Sequence, residues 1–235
     1  MRGGGEQPRR TSGGPHIAGP DDFAAAFNAS PDALDRLRVY AETLALWQKK
    51  INLVSPSTLG DVWHRHFADS AQLLGLAPES AESWIDLGSG AGFPGLVIAI
   101  LLADRPTPRP RLALIESDQR KAAFLGEVVR KTDLAAVVSV DILCTRIEMA
   151  PTRGIIESAD IVSARALAPL DKLIELTLPL LKASGVGLFP KGRGVEAELA
   201  SARRIFEFTY ELVPSRTDAE AGIVVMRAAS ARSKG

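Results

Sequence analysis

The residues from Ile85 to Gly95 constrain the fold of this chain more than any other stretch. They read Ile-Asp-Leu-Gly-Ser-Gly-Ala-Gly-Phe-Pro-Gly and are followed by the apolar residues 96–102. Three glycines at alternate positions allow a turn in which side chains would clash, and Pro94 suits the first turn of a helix. We therefore predict a buried strand, a glycine turn and a helix N-terminus. α/β proteins hold nucleotide-like ligands with this element.

Beyond this turn, short apolar runs alternate with amphipathic stretches of helical period. Strands are predicted at 84–87, 111–115, 137–142, 160–164 and 185–189, helices at 118–131 and 169–181 and after Arg193 to about Arg203, and a closing antiparallel hairpin at 205–213 and 222–227. Five βα units and a hairpin predict an α/β fold. Its sheet would be seven-stranded and mostly parallel, with helices on both faces.

An N-terminal helical extension precedes the first strand. Ser30 and Pro31 suit a helix N-cap and first turn, and apolar residues at helical spacing continue to about Lys50. After a break, a second helical pattern continues to Leu74. Residues 1–20 are rich in Gly, Pro and Arg with few large apolar side chains, so they are predicted to form a disordered tail. The predicted parts are a tail at 1–20, a helical segment at 21–80 and a sheet domain at 81–235.

Composition and charge exclude several classes of protein. The chain has 28 basic and 28 acidic side chains, so no overall positive charge indicates nucleic-acid binding. The single cysteine, Cys144, excludes an internal disulfide, and three histidines offer no zinc-site spacing, so no metal is expected. Neither an apolar run of membrane-spanning length nor a signal peptide is found. We therefore expect a cytoplasmic protein that does not contact membranes.

The glycine turn raises the question of which ligand it holds. Gly90 to Gly95 satisfies G-x-G-x-x-G, and Glu116 follows about 20 residues later, as in dinucleotide-binding proteins. Asp86 argues against a dinucleotide, because we expect its carboxylate to face the ligand and repel a pyrophosphate. S-adenosylmethionine carries an ammonium and a sulfonium but no phosphate, and its ribose hydroxyls suit Glu116. The pattern therefore favours S-adenosylmethionine over NAD.

Several motifs together resemble one family, the bacterial 16S rRNA guanine-N7 methyltransferases, also called the glucose-inhibited division protein B family. The similarity covers roughly residues 40–225. The motifs are Lys50-Ile51-Asn52-Leu53, Arg65-His66-Phe67-Ala68-Asp69-Ser70, the turn from Asp86 to Gly95, Leu114-Ile115-Glu116-Ser117, Arg120 to Leu125, Arg146-Ile147-Glu148, Ser163-Ala164-Arg165-Ala166 and Lys191-Gly192. The sequence departs from the family in two places. The family commonly has aspartate at the position of Glu116, and residues 1–20 have no matching counterpart.

The resemblance implies a Rossmann-like, class I S-adenosylmethionine-dependent methyltransferase. The implied reaction is methyl transfer from S-adenosylmethionine to N7 of a guanosine in the decoding-region loop of 16S rRNA. It further implies that Gly88 and Phe93 line the cofactor pocket, that Ile147 and Glu148 approach the adenine, and that Arg165 closes the site. The candidate cofactor-binding residues are therefore Asp86, Gly88, Gly90, Gly92, Phe93, Glu116, Ile147, Glu148 and Arg165.

We assign no general base, because guanine N7 carries a free lone pair and attacks without losing a proton. Catalysis would then come mainly from alignment of the reacting atoms. Arg165 follows the fourth strand, where we expect it to position the substrate by binding rRNA phosphate or guanine O6; a surface ion pair is the alternative. The other candidates for rRNA contact are His64, Arg65, His66, Lys191 and Arg193. For residues 64–66, a solvated helix face is the alternative.

Other functions stay open at this point. A nicotinamide-dependent oxidoreductase would use the same G-x-G-x-x-G turn. A non-catalytic module would bind S-adenosylmethionine or rRNA without chemistry, and a protein or a small molecule is a third kind of methyl acceptor. We expect 16S rRNA, within the small ribosomal subunit or its precursor, as the partner. The sequence does not give the oligomeric state, and a monomer is our working expectation.

Overall fold

The computed structural model describes residues 14–105, 109–152 and 156–232. Its strands are β1 (Ser83–Leu87), β2 (Arg111–Glu116), β3 (Val140–Cys144), β4 (Ala159–Ala164), β5 (Leu181–Lys191), β6 (Phe206–Pro214) and β7 (Gly222–Ala231). They form one sheet in the order β3-β2-β1-β4-β5-β7-β6. The strands β1 to β5 pair in parallel, whereas β7 is antiparallel to both β5 and β6. The predicted seven-stranded, mostly parallel sheet is confirmed.

Helices cover both faces of this sheet. They are α1 (Pro20–Phe27), α2 (Pro31–Gln48), α3 (Pro56–Leu59), α4 (Asp69–Ala71), α5 (Gly95–Leu102), α6 (Gln119–Lys131), α7 (Met149–Thr152), α8 (Leu170–Thr177) and α9 (Val195–Ile205). One buried apolar cluster includes side chains of α1, α2, α5 and α6, and a second includes side chains of α8 and α9. No described helix has the length and apolar character needed to cross a bilayer.

The helix ends follow from local chemistry. Ser30 caps α2 because its Oγ accepts a hydrogen bond from the Ala33 N–H at 3.1 Å, and Pro31 occupies the first turn as predicted. Asp118 caps α6 in the same way by accepting from the Arg120 N–H at 2.8 Å. The apolar stripe of α2 is buried and packs the N-terminal extension onto the sheet domain.

The second N-terminal helix is interrupted rather than continuous. After α3, residues Trp63–Ala68 form a π-helical stretch, which leads through α4 into a 3₁₀ turn at Gln72–Leu76. A π-helical turn contains more residues than an α-helical one, so it changes which side chains point inward. His64 and His66 are both buried as a result. The alternative of a solvated helix face is therefore wrong for both histidines.

The predicted tail is ordered over part of its length. Ile17 is buried, its backbone N–H donates to His64 Nδ1 at 3.2 Å, and Pro20 begins α1. One aliphatic side chain and this hydrogen bond attach residues 14–20 to the helical extension, whereas the predicted division into tail, helical segment and sheet domain stays a prediction. Residues 1–13 lie outside the described part of the chain.

The carboxyl ends of the parallel strands meet at one edge of the sheet. Leu87 at the end of β1 pairs with Ile115 of β2 on one side and with Ala164 of β4 on the other. The order of the strands reverses between β1 and β4. Such a switch point leaves a crevice outside the strand ends, where open α/β sheets bind their ligands. The glycine turn follows β1 directly and so lies at this crevice.

Candidate active site

The glycine turn has a backbone that other residues would not adopt. Gly88, Gly90 and Gly92 all have positive φ angles, of 63°, 56° and 89°. A Cβ atom on Gly88 would lie 2.6 Å from the Leu167 side chain, and one on Gly92 would lie 2.5 Å from the hydroxyl of Tyr40. The glycines are therefore required both by conformation and by close packing, as the sequence predicted.

Asp86 lies beneath the turn rather than in the crevice. Its side chain is buried, Oδ1 accepts a hydrogen bond from Ser163 Oγ at 2.8 Å, and Oδ2 accepts from the Gly95 N–H at 3.2 Å. Burial raises the pKa of Asp86 from 3.8 to about 6, against the opposing effect of these hydrogen bonds. The expectation that this carboxylate faces the ligand is wrong, because it instead caps the start of α5.

Glu116 occupies the position that we expected to face the ligand's ribose. Its Oε2 accepts a hydrogen bond from the Gly90 N–H at 2.8 Å, and its Oε1 accepts from the Asp118 N–H at 2.7 Å. The Glu116 carboxylate therefore joins the glycine turn to the start of α6, because it accepts from one backbone N–H group of each. Glu116 is buried, and each of its carboxylate oxygens could accept a further hydrogen bond.

An aromatic stack closes one side of the turn. The Phe93 ring lies between Tyr40, with centroids 5.4 Å apart and planes at 20°, and His66, at 4.8 Å and 16°. The Tyr40 hydroxyl also donates a hydrogen bond to the carbonyl of Ala91. The sequence motifs do not point to Tyr40 as a site residue. It lies on the buried face of α2 between Leu37 and Leu44, and the helical spacing of these residues is the sequence signal that places it there.

The two buried histidines make internal contacts through both ring nitrogens. His64 Nδ1 accepts from Ile17, and its Nε2 bonds the carbonyl of Thr217 at 3.0 Å. His66 Nε2 bonds Thr58 Oγ1 at 2.9 Å. Its Nδ1 accepts from a guanidinium nitrogen of Arg165 at 3.0 Å. Burial, reinforced by the nearby arginines, lowers the pKa of His66 to about 3, so the ring is neutral. Neither histidine offers a free ring nitrogen to rRNA.

Arg165 joins the N-terminal extension to the end of β4. Its Nε forms an ion pair with Asp69 Oδ2 at 3.2 Å, and Nη2 donates to the carbonyl of Arg65 at 3.0 Å as well as to His66. The guanidinium lies 5.7 Å from the centre of the Phe93 ring. Its Nη1 is buried and has no hydrogen-bond partner among the described residues. Arg165 is therefore a cation fixed by several contacts, and the alternative of a simple surface ion pair does not describe it.

A cavity of about 370 Å³ lies over the glycine turn. Its walls include the following candidates from the sequence: Gly88, Gly90, Phe93, His66 and Arg165. Ile147 and Glu148 follow β3, whose end pairs with Glu116, but they do not line this cavity. Within the described ranges, no group of three or more His, Cys, Asp or Glu side chains is arranged to hold a metal ion.

Lys191 and Arg193 both follow β5, yet their environments differ. The Lys191 side chain is only 9% exposed, and its ammonium bonds Glu198 Oε2 and the carbonyl of Ala168, each at 2.7 Å. The Arg193 side chain is 81% exposed and pairs with Glu220. The structure therefore leaves Arg193 accessible to a phosphate and commits Lys191 to an internal ion pair.

Comparisons with known proteins agree on one family. The family model described as rRNA small subunit methyltransferase G matches residues 33–222. The Ribosomal RNA small subunit methyltransferase G of Parvibaculum lavamentivorans is 50% identical over 216 residues, which are 92% of each chain. The protein of the same name from Rhodospirillum centenum is 51% identical over 197 residues, 84% of this chain and 85% of that one.

Solved structures share the fold at low sequence identity. A putative class I S-adenosylmethionine-dependent methyltransferase from Listeria monocytogenes matches with a TM-score of 0.59 and 12% identity, over 85% of this chain and 70% of that one. Cofactor-bound Rv0187 from MTB matches with a TM-score of 0.56 and 15% identity, over 91% and 98%. At such identities the likeness concerns the fold alone. The predicted Rossmann-like, class I methyltransferase fold is confirmed.

Proposed function

This chain belongs to the rRNA small subunit methyltransferase G family, and we propose that it methylates N7 of a guanosine in the decoding-region loop of 16S rRNA. The methyl donor is S-adenosylmethionine. The substrate is the small ribosomal subunit or its precursor, and the reaction takes place in the cytoplasm. The sequence similarity extends over about nine tenths of the chain, so the whole described molecule serves this function.

One observation carries the choice of cofactor: carboxylates already occupy the backbone donors of the glycine turn. Glu116 accepts from Gly90, and Asp86 accepts from Gly95 at the start of α5. A dinucleotide needs such N–H groups for its pyrophosphate, and these two are already bonded to carboxylates. S-adenosylmethionine has no phosphate, and it supplies an electrophilic methyl group when bound. These contacts therefore support it over NAD.

The residues of the turn fit this cofactor. The cavity over Gly88 and Phe93 is of the size used for small ligands, roughly 300–1,000 Å³. Glu116 retains acceptor capacity for ribose hydroxyls, and Ile147 with Glu148 would approach the adenine from the end of β3. Glycine at positions 88 and 92 allows the turn to pack closely against Leu167 and Tyr40 beside the cavity. The protein would thus hold the methyl group of S-adenosylmethionine at the edge of the crevice.

The reaction needs no proton transfer from the protein before attack. Guanine N7 carries a free lone pair, so it would accept the methyl group that the bound cofactor supplies without first losing a proton. His66 is neutral and both of its ring nitrogens are occupied, which agrees with the absence of a required base. Arg165 would position the substrate from the wall of the cavity. Alignment of this kind contributes up to roughly 7–11 kcal/mol in well-oriented systems.

Contacts to the rRNA backbone would come from exposed arginines around the crevice. Arg65 and Arg193 are 45% and 81% exposed in their side chains, and each is paired only with one surface carboxylate. A phosphate competes effectively with such a pair, because exposed ion pairs contribute little. Lys191 stays in its internal pair with Glu198. Since the net charge is zero, we expect modest and salt-dependent affinity for naked RNA.

Incubation with methyl-labelled S-adenosylmethionine and small subunits that lack the modification tests this proposal. The expected result is one labelled 7-methylguanosine in the decoding-region loop of 16S rRNA. Tight cofactor binding without label in rRNA would instead indicate a non-catalytic module. Label in a protein or a small molecule would overturn the substrate. Calorimetric binding of NAD but not of S-adenosylmethionine would indicate an oxidoreductase.

A further inference from the structure

A second cavity, of about 480 Å³, lies beside the cofactor cavity. Arg165 and Ala166 line both cavities, so the two spaces share part of one wall. Ala166 contributes only a methyl group to this wall, and its backbone has a left-handed φ of 51°. Non-glycine residues in this conformation cluster at functional sites. A group in the second cavity would therefore lie next to the methyl donor.

The charged side chains around the second cavity are paired with each other. The pairs are Arg165 with Asp69 at 3.2 Å, Lys191 with Glu198 at 2.7 Å, and Arg65 with Asp218 at 3.5 Å. Every one of these cations is paired with a carboxylate, so the charged side chains of the lining carry no net charge. The lining therefore favours an uncharged group with many hydrogen-bonding atoms, such as a nucleobase.

One side chain in this lining keeps hydrogen-bonding capacity toward the cavity. Asp218 Oδ1 accepts one hydrogen bond, from the Glu220 N–H at 2.9 Å, and Oδ2 is 3.5 Å from Arg65. Each oxygen of the Asp218 carboxylate therefore retains a lone pair. The cavity thus offers a two-oxygen acceptor from the β6–β7 loop.

Guanine carries the complementary pattern. Its O6 and N7 are acceptors on one edge, whereas N1–H and the N2 amino group are donors on the opposite edge. Adenine has an acceptor at N1 and no amino group at C2, so it cannot donate two hydrogen bonds to a carboxylate. We propose that the second cavity receives the target guanine after it leaves its stack, and that Asp218 selects guanine by accepting from N1–H and N2–H. This inference rests on the proposed function.

The test compares Asp218→Asn with the wild type on small subunits reconstituted with guanosine or inosine at the target position. Inosine lacks only the N2 amino group. The wild type should methylate inosine about tenfold more slowly than guanosine, because a hydrogen bond to a charged group is lost. In the variant, guanosine should react at least about tenfold more slowly than in the wild type, and the preference for guanosine over inosine should shrink toward one.

Asp141→Asn is the matched control. The side chains of Asp141 and Asp218 are similarly exposed, at 40% and 39%, and Asp141 pairs with Arg111 between β3 and β2, away from both cavities. Its guanosine preference should equal that of the wild type. Unchanged melting temperature and S-adenosylmethionine affinity would show that Asp218→Asn is folded. If the Asp218→Asn variant keeps the wild-type preference for guanosine over inosine, Asp218 does not select guanine; the proposed function is not affected by that result. A wild type that labels no rRNA overturns the proposed function, and this inference with it.

Discussion

The carboxylate of Asp86 at the end of β1 accepts the backbone N–H of Gly95 at 3.2 Å, which joins the first strand to the first turn of α5 from beneath the glycine turn. A Cβ on Gly95 would lie 2.8 Å from the same Asp86 oxygen. The turn is therefore held in shape by a buried acid that does not line the cofactor cavity. This arrangement contributes one component to the pH dependence of stability.

Asp86→Asn should remove one component of the pH dependence of stability. The pKa of Asp86 rises from 3.8 to about 6 on folding, so its contribution is fully present below pH 4 and is lost as the pH rises toward 6. The loss amounts to about 3 kcal/mol. The melting temperature of the wild type, relative to that of the variant, should therefore be higher at pH 4.5 than at pH 7. An equal difference at both pH values would show that Asp86 does not titrate in this range.

Glu116→Gln should weaken S-adenosylmethionine binding by about tenfold or more. The substitution removes an ionised acceptor that bonds the Gly90 N–H and would bond the ribose, and hydrogen bonds to charged groups contribute about 1.5–3 kcal/mol. Isothermal titration calorimetry measures the effect. Glu127→Gln is the control, because Glu127 pairs with Arg130 on the exposed side of α6. Equal affinity in both variants would contradict the assignment of Glu116.

Tyr40→Phe should destabilise the protein by about 1–3 kcal/mol. The lost hydroxyl leaves the buried carbonyl of Ala91 without its partner, whereas the ring still stacks on Phe93. Urea unfolding gives the free-energy difference. Tyr210→Phe is the natural comparison, because Tyr210 is the other tyrosine of the chain and its side chain is exposed on β6. A loss of similar size in both variants would exclude a special role for Tyr40.

Arg165→Lys should lower kcat/KM for rRNA methylation by about 10- to 100-fold. Lysine retains the charge but cannot bond Asp69, His66 and the Arg65 carbonyl at once, as the planar guanidinium does. A lost charged hydrogen bond of about 1.5–3 kcal/mol corresponds to this range. Arg38→Lys on the surface of α2 serves as the control and should leave the rate unchanged. A fully active Arg165→Lys enzyme would show that the forked geometry is dispensable.

Much of the fold was predictable from sequence because it depends on local patterns. The Ser30 and Asp118 caps, the apolar strand runs and the glycine turn each involve residues within a few positions of one another. The start of β3 was misplaced by three residues, since Leu134–Ala136 form a 3₁₀ turn before the strand begins at Val140. Strand ends depend on pairing partners, which the local sequence does not contain.

The sequence by itself determined the α/β class and the glycine turn at the crevice, and it pointed to some of the residues that line the cavity there, namely Gly88, Gly90, Phe93, His66 and Arg165. Only the tertiary structure decided what those residues do. Asp86 bonds Ser163, 77 positions away, and His64 bonds Thr217, 153 positions away. Burial and partners of this kind fix the protonation and accessibility of a polar side chain. Packing at the ends of β1 and β4 buries Asp86, and the π-helical stretch Trp63–Ala68 buries His64. Both side chains therefore support the site from inside the protein.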